Sequence, residues 1–469
     1  MRMVLWAIFC VPLLHNLAVA EPITLKQILE SVKKHHPLLF AALEERNTAE
    51  ADLLSARGAF DPTIKINGYN RAVGYYEGNR FGAFLDQPVE STGGRVFGGY
   101  RRSDGRIPVY EGDELTLSDG EFSIGAEQAL LRDGVIDRRR ANISRFEIQQ
   151  NIAEFNIHER MIALTRAATL SYWDWVVAGR RVEVLKRLLS TAEIRNGQIE
   201  QRVKHGDLPA FDLDDSRRQV FQRQAQLIQA ERALQNSSFE LSLFYRNLAG
   251  SPVVPENSEL PKNYNDQLAL KLDSNDSLLE IALVRRPEIQ RLNGQLNQNQ
   301  IESNLAENQI LPKIDLQIIA AQDSGSGSNT LEEGEIKAGI KVELPLRTRT
   351  AEGRVQAAAA KARELDRLLK FQKDRIAVEI RDSINALELV HRRYLLAEKE
   401  IQAAIKLEEG ERVRFNLGDS NLIFVNLREQ ASAEASIREI EAFQDYQRAK
   451  AALRAALAYS IDDLLKDLN

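Results

Sequence analysis

The sequence predicts a mainly α protein with a small β part, built as a duplicated unit of helix, strand, strand, long helix, turn and helix. Three observations carry this reading. Apolar residues recur at helical spacing over stretches far longer than an ordinary globular helix. Two short segments of strict alternation sit at the same place in each half. The stretch Arg202-Val203-Lys204-His205-Gly206-Asp207 also returns 212 residues later as Arg414-Phe415-Asn416-Leu417-Gly418-Asp419, each time between two helical patterns. One such turn is an ordinary loop; two with the same flanking architecture point to a duplication.

The first 20 residues have the anatomy of an export signal: Arg2, an apolar run from Met3 to Leu14, and Ala18-Val19-Ala20 before Glu21. The alternative, a membrane anchor, is weakened by Pro12, His15 and Asn16 within the run. Cys10, the one cysteine, leaves with this segment, so the mature chain is expected to carry no thiol.

Residues 21–250 form the first repeat. Leu25, Ile28, Leu29 and Val32 stand at i, i+3, i+4 and i+7 of a helix, and His36-Pro37 interrupts it because the residue before proline is pushed out of the helical region. Alternation follows at about 61–71, with Ile64 and Ile66 on one side and Lys65 and Asn67 on the other, and again at about 121–128 through Phe122, Ile124 and Ala126. The fifty residues between, rich in Gly, Arg, Tyr and Asp, have no sustained period and read as a long surface loop, with room for a short hairpin around Phe81 to Tyr100. A helical pattern then runs from about Val135 to Val203. Unbroken, it would be about 105 Å long. Its second half carries a heptad seam of Trp175, Ala178, Val182, Leu185, Leu189, Ala192, Asn196, Ile199 and Val203. The turn at 203–211 leads into a return helix ending near Gly250.

Residues 251–276, with Pro252, Pro255 and Pro261, are a linker between repeats. The second repeat, 277–460, follows the same order. Leu278 to Leu283 with Arg286-Pro287 echoes the opening helix, strands fall at about 312–321 and 335–344, and a second rod has a seam at Leu387, Val390, Tyr394, Ala397, Ile401 and Ala404. Its turn lies at 415–423, and 461–469 is a tail.

Aromatic residues make up 7% and charged residues 28% of the 469, a composition suited to long amphipathic helices. The formal charge of -6, with both signs interspersed, gives no nucleic-acid footprint. Beyond residue 20 there is no apolar run of the roughly 18 residues that a membrane helix needs, so any crossing of a bilayer falls to strands. Four strands are too few to close a membrane barrel within one chain, which needs at least about eight. Several chains must pool them, or a covering layer must bury them.

The duplicated turn, the opening Thr24-Leu25-Lys26-Gln27-Ile28-Leu29 with His36-Pro37, its echo at Leu278 to Pro287, Leu344-Pro345-Leu346 and Arg414-Phe415-x2-Gly418 resemble the TolC family of outer-membrane efflux and secretion ducts. The likeness covers essentially the whole mature chain. It implies a homotrimer in the outer membrane of a Gram-negative bacterium: four strands from each subunit close one twelve-stranded β-barrel, and the long helices form an α-helical coiled-coil barrel through the periplasm. Residues 251–276 and the C-terminal segment would form an equatorial belt, and loops 71–120 and 322–334 would face outside. The implied partners are outer-membrane lipid, a periplasmic adaptor protein and an inner-membrane transporter, in a tripartite efflux pump or a type I secretion system. The duct would be passive and open at its periplasmic tip.

In this family an Asp six residues after the turn glycine commonly lines the constriction. Asp212 has that spacing from Gly206, with Asp215 near it, so the two are taken as a candidate gate pair, alongside Asp207 and Asp419 in the turns themselves. Three copies would make an acidic ring favouring cations. The second repeat departs from the pattern, because Phe424 stands where Asp is expected. Each Asp also has an ordinary alternative as a helix cap or a solvated surface group. Arg202, Gly206, Arg414 and Gly418 are candidates for the turn that meets the adaptor's hairpin; the arginines could equally bond helix-end carbonyls or carboxylates.

The sequence offers no catalytic chemistry. The six histidines lack metal-ligand spacing, Gly325-Ser326-Gly327-Ser328 lacks the Gly-Lys-Ser/Thr ending of a phosphate loop, and no nucleophile motif stands out, so no enzyme activity, cofactor or metal is expected. The competing readings are a periplasmic adaptor, which ordinarily has a single hairpin, and a coiled-coil structural protein without a pore, which has no need of symmetrically placed strands.

Overall fold

The computed structural model describes residues 21–262 and 275–468; the export signal therefore lies outside the described residues, as do residues 263–274 of the linker and the last residue of the tail. In chain order the elements are α1 (Leu25–His35), α2 (Pro37–Arg57), β1 (Thr63–Arg71), β2 (Gly78–Pro88), β3 (Arg95–Gly105), β4 (Glu121–Ala129), α3 (Arg138–Lys204) and α4 (Ala210–Ser242). There follow α5 (Asn275–Arg285), α6 (Pro287–Asn308), β5 (Lys313–Asp323), β6 (Glu335–Glu343), α7 (Arg349–Asn416), α8 (Leu422–Ala456) and α9 (Ile461–Asp467). The chain divides into two compact units, and α3 and α7 each contribute to both.

One unit joins the opening segment, Ile162–Ser274 and Arg381–Asn469. Thr24 starts α1 with a capping box: its hydroxyl accepts from the Gln27 amide at 3.3 Å, and the Gln27 side chain accepts from the Thr24 amide at 2.7 Å. The apolar stripe of α1, Ile28, Leu29 and Val32, is fully buried with Trp175, Leu241, Leu453, Ile461 and Leu464. The seam residues Trp175, Val182, Leu185, Ala192 and Ile199 of α3 are buried too, as are Leu387 and Ala397 of α7. After α4 the chain lies against α3: Leu260 sits over Gly179 where a Cβ would stand within 2.5 Å of it, and Pro261 accepts a bond from Arg180. Glycine at 179 is what lets this segment approach so closely.

The other unit joins Leu38–Met161 and Asn275–Ile380 and holds the sheet. The sheet has six strands in the order β1-β2-β3-β4-β5-β6, every neighbouring pair antiparallel. This corrects the count of four. The stretch expected to be a long surface loop contains two full strands, β2 and β3, longer than the short hairpin allowed there, and they lie within the sheet between β1 and β4. Next to the sheet, Asp137 caps α3: its Oδ1 accepts from the amides of Arg139 and Arg140 at 2.7 and 3.2 Å, and its Oδ2 takes the Arg140 guanidinium at 2.9 Å. Leu53, Phe60 and Ile143 form a small core below.

Candidate functional site at the helix turns and the sheet faces

The two Arg-x3-Gly-Asp turns share one backbone geometry. In the first, Gly206 has φ +82°, its amide donates to Val203 O at 3.0 Å, and the Asp207 amide donates to Arg202 O at 2.9 Å. In the second, Gly418 has φ +81°, with the corresponding bonds to Phe415 O at 3.0 Å and Arg414 O at 2.9 Å. This is the Schellman closure of a helix C-terminus, which satisfies the last carbonyls and requires a left-handed residue after the cap. The sequence repeat is thus the signature of that closure.

The side chains around the turns differ. Arg414 grips its own turn, Nε to Asp419 Oδ2 at 3.2 Å and Nη2 to Asp419 O at 3.1 Å, and Asn421 caps α8 by accepting from the Phe424 amide at 3.1 Å. In the first turn Arg202 and Asp207 are exposed, and the capping position of α4 is Pro209, which has no side chain to accept a bond. The alternative reading of the turn Asp residues as helix caps is therefore corrected: the residues at the capping positions of α4 and α8 are Pro209 and Asn421.

Asp212 lies half-buried in the first turn of α4, where the helix dipole favours a carboxylate. Asp215 is on the same face one turn on, and its carboxylate takes Arg218 at 2.9 Å and Gln219 at 2.9 Å. Phe424, in the register of Asp212, is exposed beside Ile423 and Leu427. An open groove of about 540 Å³, lined by Leu188, Arg218, Gln222, Ile423, Leu427 and Gln430 among others, runs between α3, α4 and α8.

Above the turns lies a cluster that sequence reasoning missed. Glu429 of α8, only 2% exposed, has an ion pair with Arg195 of α3 and stands 3.6 Å from Arg223 of α4 and 3.4 Å from Arg412 of α7. Arg195 also bonds Asn426, and Arg223 donates to Leu188 O at 3.0 Å. One carboxylate thus ties four helices together. Burial pushes the Arg223 pKa down, and the Arg195 charge adds to that; Glu429 opposes both by favouring the cation. Nothing in the local spacing of these residues separates them from solvated charges on the same helices.

In the sheet, register decides which residues share a face. One face carries Ile64 and Ile66 of β1, Phe81, Ala83 and Leu85 of β2, Val96 and Tyr100 of β3, and Phe122 and Ile124 of β4. It continues with Leu316 and Ile318 of β5 and Ile336, Ile340 and Val342 of β6. Ile64 is 72% exposed, Ile124 62% and Ile336 79%, so a broad apolar surface faces outward. The opposite face is polar: Lys65, Asp86, Arg95 and Glu127 form a chain of ion pairs at 3.0, 3.1 and 2.8 Å across four strands, and Arg101 pairs with Glu121. Among the described residues no helix is long and apolar enough to cross a membrane.

Residues 28–244 match the family described as outer membrane efflux protein. That segment, a little under half of the chain, is similar to the family. The chain's fold is shared with two solved outer-membrane channels and a third outer-membrane protein. MtrE of Neisseria gonorrhoeae in its open state is 16% identical, with a TM-score of 0.65 over 92% of this chain and 88% of that one. CmeC of Campylobacter jejuni is 15% identical at 0.63 over 94% and 88%, and VceC of Vibrio cholerae 13% identical at 0.64 over 93% and 96%. No curated protein sequence is significantly similar to it. Of the two faces of the sheet, one has the chemistry of an apolar boundary and the other that of a surface in water.

Proposed function

We propose that this chain is the passive outer duct of a tripartite efflux pump or a type I secretion system, working as a homotrimer that an adaptor and an inner-membrane transporter engage at the α3–α4 and α7–α8 turns. The observation that carries the reading is the sheet. An apolar face continuous across six strands, with β1 and β6 both left as open edges, has no place in water and is completed by lipid and neighbouring copies.

The Glu429 cluster supports a resting state held shut. It clasps the α3–α4 pair to the α7–α8 pair, so drawing the pairs apart means separating Glu429 from Arg195 and Arg223. The acidic constriction rests on Asp212 and Asp215 of each copy, with Asp207 and Asp419 at the turns; Asp215 is already partly neutralised by Arg218, which leaves Asp212 the larger share of any cation preference. Arg202, Gly206, Arg414 and Gly418 shape the surface offered to the adaptor. Planar-bilayer conductance of the purified protein tests this, wild type beside Asp212→Ala/Asp215→Ala. The expected result is a channel whose preference for cations falls in the variant. An open variant with unchanged selectivity overturns the acidic constriction, and recovery of the processed chain as a detergent-free soluble monomer overturns the duct.

A further inference from the structure

We infer that the outer-membrane wall of this protein has eighteen strands, six from each of three copies, rather than the twelve that four strands per copy would supply. The inference rests on the trimeric duct proposed above and asks what β2 and β3 do within it. A long insertion between β1 and β4 could be a hairpin projecting beyond the membrane, leaving β1 to pair with β4. The register says otherwise. β1 pairs with β2 over nine consecutive residue pairs, Thr63–Asp86 to Arg71–Gly78, and β3 pairs with β4 over seven, Arg95–Glu127 to Arg101–Glu121. β1 and β4 are thus held apart by two whole strands.

The side chains agree with the backbone. Phe81, Ala83 and Leu85 of β2 and Val96 and Tyr100 of β3 fall on the apolar face of the flanking strands, and Phe81, Leu85 and Val96 are as open to a surrounding medium as Ile318 of β5. A hairpin standing in water would have no reason to continue that face in register. On the polar face, the ion-pair chain from Lys65 through Asp86 and Arg95 to Glu127 runs from β1 through both inserted strands to β4. Two glycine–aromatic pairs lock the same register: Phe84 of β2 lies over Gly99 of β3, and Phe97 of β3 over Gly125 of β4, where a Cβ on either glycine would stand 2.6 Å from the ring. Phenylalanine covering a cross-strand glycine is a device that fixes strands within a wall.

Closure is geometrically consistent. An antiparallel meander with an even number of strands has oppositely directed edges, so β6 of one copy can pair antiparallel with β1 of the next, and three such head-to-tail contacts close a ring. With strands about 4.8 Å apart and tilted by about 40°, eighteen of them give a barrel roughly 36 Å across between backbones, against roughly 24 Å for twelve. The ion-pair face would line this wider lumen.

Electron cryomicroscopy of the full chain extracted from outer membranes counts the strands directly, with native mass spectrometry giving the number of copies. Three copies and eighteen strands are expected. A twelve-stranded wall, from two copies or from three with the hairpin outside it, overturns the inference and leaves the channel reading standing. A second measurement places the insertion: in vesicles of brominated phosphatidylcholine, Leu85→Trp on β2 should be quenched to an extent comparable with Ile124→Trp on β4, above the native tryptophan background. Quenching of Ile124→Trp alone puts β2 outside the bilayer and overturns the inference, whereas quenching of neither overturns the channel reading with it.

Discussion

The turn after α3 and the turn after α7 have superposable hydrogen bonding and unrelated side-chain chemistry. Gly206 and Gly418 differ by 1° in φ, and each turn bonds the same two carbonyls. Around that shared backbone the first turn is acidic and capped by proline, while the second is clamped by Arg414–Asp419, capped by Asn421 and flanked by exposed Ile423 and Phe424. Helix closure is a backbone requirement that both copies must meet. Charge and apolar surface near the turn are free of that requirement and have diverged. The Glu429 cluster depends on the divergence: Arg195 and Arg223 of the first repeat meet Glu429 and Arg412 of the second. Leu407 and Ala435 stand 212 residues after Arg195 and Arg223, so no mirrored cluster can form.

The largest expected effect breaks the asymmetric part. Glu429→Ala leaves Arg223 buried, and Arg195 half-buried beside it, without this counter-charge, a loss of about 3–5 kcal/mol for a buried pair broken on one side. Hydrogen exchange should rise in α3, α4, α7 and α8 together near the turns. Exchange confined to α8 would mean that the carboxylate does not tie the four helices.

The shared part should respond alike in both copies. A Cβ added at Gly206 or Gly418 meets nothing within 4 Å, so alanine at either position costs only the left-handed backbone, about 1–2 kcal/mol. Local exchange at the two turns should quicken by the same factor. A clear difference between them would show that one turn is held by something other than its own hydrogen bonds.

Capping separates the copies again. Asn421→Ala should loosen the start of α8 by about 1 kcal/mol, whereas Pro209→Ala should leave the start of α4 nearly unchanged, since Pro209 accepts no side-chain bond there. Amide exchange over the first turn of each helix reads both.

The smallest effect compares the two helix breaks. His36 is buried, stacked on Phe244, and its pKa is pushed below 6.5, first by burial and then by the Arg246 charge. Its counterpart before the second proline, Arg286, pairs instead with Glu288 and Glu379. The unfolded chain binds the His36 proton more readily than the folded one. The stability this gives is therefore complete above about pH 6.5 and lost as pH falls toward the depressed folded value. Exchange in α1 should quicken on acidification through this window, and His36→Gln should remove that component. The α5–α6 break should show no such step.

Much of the helical part was legible because each long helix repeats its apolar positions many times. Ile28, Leu29 and Val32, or Trp175, Val182 and Leu185, announce a buried stripe without reference to any neighbour. β1 and β4 were legible for the same reason at a period of two. β2 and β3 were not, because Phe84 and Phe97 lie on the polar face opposite glycines while Gly98 interrupts the apolar one, so the alternation that marks a strand is blurred. Their stabilisation comes from cross-strand pairing, which a one-dimensional pattern does not contain. The acidic candidates were found by spacing from a turn, yet spacing did not reveal that Asp215 already has Arg218 as a partner.

By itself the sequence determined the duplication, the rods, the left-handed closures at Gly206 and Gly418 and the presence of strands between helices, since each follows from local backbone preference and periodic burial. Only the tertiary structure decided that the sheet has six strands and that Glu429 lies among three arginines drawn from three other helices. Both depend on residues far apart in the chain meeting at a particular register, and no local propensity encodes which distant partner a strand or a charge will find.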